Sequence, residues 1–68
     1  MSYVEDLMKE ARKLYEKAKE VDDMDAKEKY LINAYHTAMG AKEHGESSAP
    51  ALMRDIKSYA ERNGIFFT

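Results

Sequence analysis

Tyr30-Leu31-Ile32-Asn33-Ala34-Tyr35-His36-Thr37-Ala38-Met39-Gly40-Ala41 is a run of twelve residues with no Asp, Glu, Lys or Arg, in a chain that is 35% charged. A helix turns about 100° per residue. On such a wheel Tyr30, Leu31, Ile32, Ala34, Tyr35, Ala38, Met39 and Ala41 spread over an arc of about 200°. Lys27, Glu28 and Lys42 fall in the same arc, near the helix ends. An arc that wide can meet two neighbouring helices rather than one.

The flanking sequence supplies both neighbours. Glycine occurs only at 40, 45 and 64 and proline only at 50. With the cluster Asp22, Asp23 and Asp25, these residues divide the chain into three segments. Upstream, Val4, Leu7, Met8, Ala11, Leu14, Tyr15, Ala18 and Val21 form a narrow stripe that predicts a helix over about 3–21. Ser2 and Glu5 make a capping box, and Glu5–Lys9 and Arg12–Glu16 are spaced for surface ion pairs. The stripe keeps a seven-residue period, which suits supercoiled packing.

The second helix is expected over about 26–44, with Asp25 and Glu28 as its capping box and Gly45 as its stop. The third is expected over about 49–63, with Ser48 as N-cap and Pro50 in the first turn. Leu52, Met53, Ile56, Tyr59 and Ala60 form its stripe. Gly64 occupies the place of a left-handed cap, so Ile65 can fold back onto Tyr59 or Ala60. Short connections favour antiparallel neighbours. The expected architecture is an all-α, antiparallel three-helix bundle in one domain, residues 1–68. The alternative is a helical hairpin whose third helix packs in an oligomer. Leu7, Leu14, Leu31, Ala34, Ala38, Leu52, Ile56 and Tyr59 are expected in the core.

Glu10 to Val21, reading Glu-Ala-Arg-Lys-Leu-Tyr-Glu-Lys-Ala-Lys-Glu-Val, resembles the second helix of a tetratricopeptide unit. It also resembles a helix of the small three-helix domains related to that repeat. The likeness spans about a dozen residues, no second copy follows, and no function is carried over from it.

Composition excludes several functions. A chain of 68 residues has little interior, and with no cysteine it has no disulfide or thiolate metal site to compensate. Eleven basic and thirteen acidic residues, interleaved, are the wrong pattern for gripping nucleic-acid phosphates. No apolar run approaches the ~20 residues of a membrane span, and the N-terminus lacks the basic start and apolar core of a secretory signal. A cytoplasmic location is therefore expected. His36 and His44 stand two turns apart, with Gly40 where a second ligand would be needed, so no metal site is expected. No serine has a nucleophile-elbow setting and no glycine-rich loop exists for phosphate. An enzyme and a cofactor are not expected.

Two features point to binding instead. The outer side of the uncharged helix carries Asn33, His36, Thr37 and Gly40, small or neutral groups that allow close approach by another backbone or a ligand. The chain ends Ile65-Phe66-Phe67-Thr68, and two terminal phenylalanines either close the bundle or enter another subunit. The first expectation is a non-enzymatic protein that self-associates. An alternative is an oligomer that binds a nucleotide-like ligand between subunits. Tyr30, Tyr35, Asn33, His36 and Thr37 would then hold the ligand, and Arg54 or Arg62 would meet its phosphates. A further alternative is an inhibitor docking on a larger host protein.

Overall fold

The computed structural model describes residues 2–67. Met1 and Thr68, the first residue of the expected domain and the last of the aromatic tail, lie outside the described residues. Helices α1 (Tyr3–Glu20), α2 (Met24–Glu43) and α3 (Ala49–Arg62) follow in order and pack together as an all-α three-helix bundle. The packing is uneven. Helix α2 lies against both others, whereas α1 and α3 approach each other little, giving a body of 33 × 19 × 14 Å. The broad arc of α2 is thus shared between two neighbours.

Local chemistry explains the helix ends. Ser2 caps α1, its Oγ accepting from the Glu5 N–H at 3.1 Å. Helix α2 starts earlier than its spacing predicts. Asp23, not Asp25, is the cap, accepting from the Ala26 N–H at 2.9 Å. This shortens the first connection and draws Met24 into the helix, where it remains exposed. At the other end the Glu46 N–H reaches the Ala41 carbonyl and the Gly45 N–H the Lys42 carbonyl. That pairing needs Gly45 at φ +92°. The same arrangement ends α3, with Gly64 at φ +76° and the Ile65 N–H on the Ala60 carbonyl at 2.8 Å.

Ser48 sits at the N-cap position of α3 but its side chain does not cap. Its N–H and Oγ both turn to Glu46 Oε2, at 3.2 and 2.8 Å. These two bonds, the hydroxyl's first, hold the Glu46 carboxyl below its ordinary range. The ion pairs expected at Glu5–Lys9 and Arg12–Glu16 do not form. The pair observed among the described residues is Glu16–Lys19, one helical turn apart at 3.2 Å.

The core is built largely from alanine. Ala11, Ala18, Ala34, Ala38, Ala41, Ala49 and Ala60 are fully buried, and the large side chains fully enclosed are Leu31 and Ile56. Small residues on facing helices let the backbones approach closely, which pushes large side chains to the flanks of the seam. Of the expected core, Leu31, Ala34, Ala38 and Ile56 are buried, while Leu7, Leu14, Leu52 and Tyr59 are only half-buried.

A charged residue completes the interior. Lys27 on α2 is buried, its Nζ donating to the Ala18 carbonyl at 2.7 Å and the Tyr59 hydroxyl at 2.9 Å. Ala18 lies in the last turn of α1, where carbonyls have no partner within the helix. One ammonium group therefore satisfies the end of α1 and ties it to α3.

Candidate functional site

The residues singled out in the sequence separate onto two surfaces. The first lies along the α1–α2 seam, on the side that α3 leaves uncovered. An added Cβ at Gly40 would stand 3.7 Å from Leu7 Cδ1. Gly40 therefore faces the flank of α1 and not open solvent, contrary to the expectation of a fully outward position. Helix periodicity then places Thr37 and Asn33 on the same flank of α2, and antiparallel register brings Asn33 opposite Leu14. Tyr30 is half-buried against the cluster containing Ala18, Leu31 and Ala34. Asn33 is exposed, while Thr37, Gly40, Leu7, Leu14 and Val21 are half-buried. At one end Tyr3 stacks edge-on against His44, with ring centroids 5.3 Å apart. The α2 side of this strip is neutral, while on α1 exposed Glu10 and Lys17 follow Leu7 and Leu14 at i+3 and edge it with charge. His36 stands further round α2, exposed, with its ring 6.4 Å from that of Tyr35.

The second surface lies between α2 and α3. Tyr35, Lys42, Pro50, Met53, Arg54 and Lys57 line a groove of about 290 Å³. Phe67 packs its ring on Tyr35 in the middle of α2, centroids 5.1 Å apart at 64°, so it folds back onto its own chain. Ile65 is buried in the same cluster, but Phe66 points out and remains 75% exposed.

Tyr30 and Tyr35 face different sides of α2, so within one chain they do not share a surface. The arginines separate too. Arg54 lines the groove, whereas Arg62 lies on the Tyr15 side of α3, where its charge favours the phenolate. Tyr15 itself donates to the Asp55 carbonyl at 3.3 Å, stacks edge-on with Tyr59 and carries Lys19 Nζ 4.1 Å above its ring. Burial is the main reason its phenol is pushed above the ordinary value of 10.0, and Lys19 opposes it.

Sequence reasoning missed Lys42, Lys57, Met53 and Pro50 as companions of Tyr35 and Arg54. It also missed that Leu7 and Leu14 flank Asn33 and Gly40. The signal for the second was present: Leu7 and Leu14 sit on one edge of the α1 stripe, seven residues apart. Among the described residues no three His, Asp or Glu side chains gather to hold a metal ion. Nor is any helix long and apolar enough to cross a membrane. Comparison with protein-family models, curated proteins and solved structures returns no match.

Proposed function

We propose that this chain acts by binding rather than catalysis, as a homo-oligomer assembled through its α1–α2 face. The observation that supports this reading is the uncovered flank of the α1–α2 seam. There Leu7, Leu14 and Val21 stand half-exposed beside Tyr30, Thr37 and Gly40, without a charged residue from the 30–41 stretch. A solvated helix flank normally carries charges. Helix α3 packs on the other side of α2, and among the described residues no further helix covers this face. A second copy would bury the half-exposed leucines and would meet small neutral groups that allow close helix contact. A two-fold dimer, pairing the same face on each copy, is the commonest closed assembly. Phe66 offers further apolar area outside that face.

Sedimentation velocity tests the reading directly. The wild type should sediment as an oligomer at concentrations up to ~100 μM. Asn33→Arg, at an exposed position in the middle of the face, should shift it to monomer without loss of helix. Gly40→Glu is the poorer test, because a side chain there would also press on Leu7 of its own chain. A wild type that remains monomeric overturns the proposal. So does an oligomer unaffected by Asn33→Arg, since the contact would then lie elsewhere.

A further inference from the structure

The α2–α3 groove has a charge pattern unlike the rest of the chain. Acids outnumber bases thirteen to eleven overall, yet the lining contains Lys42, Arg54 and Lys57 and no acid. None of the three cations is in an ion pair, the pair among the described residues being Glu16–Lys19. Glu46, one turn beyond Lys42, is taken by both bonds from Ser48. Glu43 and Glu61 are exposed outside the lining. Three like charges around one concavity repel each other and raise the local potential for an anion. Between them the lining holds three less polar side chains. Met53 is 8% exposed, Pro50 is half-buried, and Tyr35 is fixed by the ring of Phe67.

We propose that this groove binds a small phosphorylated ligand carrying a planar ring, the chemistry of a nucleoside phosphate. Arg54 presents a planar fork that matches two phosphate oxygens, while Lys42 and Lys57 act as point charges on the remaining ones. Half-buried Tyr35 and Pro50 provide the surface for the ring, with Met53 packed behind them. A volume of about 290 Å³ lies just below the usual range of ligand sites and suits one mononucleotide better than a folded peptide segment. All the lining residues come from one chain and lie on the side of α2 away from the Gly40–Leu7 contact. The site therefore exists whether or not the protein self-associates.

The test is an amide NMR titration of the intact chain with ADP. Adenosine, inorganic pyrophosphate and a short polyglutamate peptide serve as comparisons. ADP should produce saturable shifts centred on Tyr35, Lys42, Arg54 and Lys57, and binding should weaken as salt is raised. Arg54→Gln should reduce affinity on the order of tenfold, and Arg54→Gln with Lys57→Gln further, because each removes a charge-assisted contact. Both positions are exposed, so a dispersed amide spectrum confirms that the variants keep the fold. Failure of ADP to saturate at ~1 mM overturns the proposal, as do shifts spread away from the groove or unchanged affinity in the double variant. Pyrophosphate or polyglutamate binding as tightly as ADP also overturns it, since the ring would then contribute nothing.

Discussion

Replacing Lys27 by Met tests how the bundle is held together. The substitution keeps an unbranched chain of similar length but removes the ammonium group and its bonds to the Ala18 carbonyl and Tyr59 hydroxyl. Bonds from a charged donor contribute about 1.5–3 kcal/mol each. The Ala18 carbonyl would lose its partner, at a further cost of about 1–3 kcal/mol if it stays dry. Relief from burying a charge offsets several kcal/mol of this. The expected net destabilisation is about 2–4 kcal/mol, large beside the roughly 3–10 kcal/mol of a domain this size. Urea unfolding followed by circular dichroism measures it. Tyr59→Phe removes one of the two bonds and should cost about 1.5–3 kcal/mol. The double variant should cost less than the sum, because the two singles break one shared bond. If Lys27→Met lies within about 0.5 kcal/mol of the wild type, or is more stable, burial of the ammonium outweighs its bonds and the reasoning is refuted.

Two further outcomes can be checked with the same unfolding measurements. Gly40→Ala should stabilise the chain by up to about 1 kcal/mol through helix propensity, because the added Cβ meets Leu7 Cδ1 at an ordinary 3.7 Å; a loss of stability would show that the seam is tighter than its geometry. Tyr15 gives a pH signature, since its raised folded pKa means the folded state holds the phenolic proton more firmly than the unfolded state. Its contribution is full below pH 10.0 and is lost as pH rises through the folded value, so Tyr15→Phe should blunt the alkaline fall in thermal midpoint. An identical alkaline fall in that variant would locate the effect in another group.

The periodic part of the fold is legible from residues alone. Three stripes, a Ser-x-x-Glu box and two glycines fix three helices, and the breadth of the α2 arc asks for a helix on each side. What is not legible depends on distances between helices. Three aspartates are spaced to cap α2, and only the folded chain shows that Asp23 rather than Asp25 accepts the Ala26 N–H. Large residues are the natural sequence choice for a core, yet alanines occupy it here because the helix axes come close and displace Leu7 and Leu14 to the edge. Lys27 reads as a solvated end residue. Its partners lie nine and thirty-two residues away, beyond any local pattern. The groove cations likewise come together only once α3 has folded back along α2. Arg54 and Arg62 read as equivalent from composition, and eight residues of helix turn them to different sides.

The scant meeting of α1 and α3 bears on how the molecule opens. With α2 holding both seams, α3 and its tail can separate as a unit while the α1–α2 hairpin keeps its alanine seam. Such partial opening breaks the α2–α3 seam, the Tyr15–Asp55 bond and one of the two Lys27 bonds. Amide hydrogens of α3 should therefore exchange with solvent before those at the centre of α1 and α2. A macromolecule that grips the detached α3 would compete with the Phe67–Tyr35 contact and dismantle the cationic groove in the same step, while leaving the opposite flank of the hairpin intact.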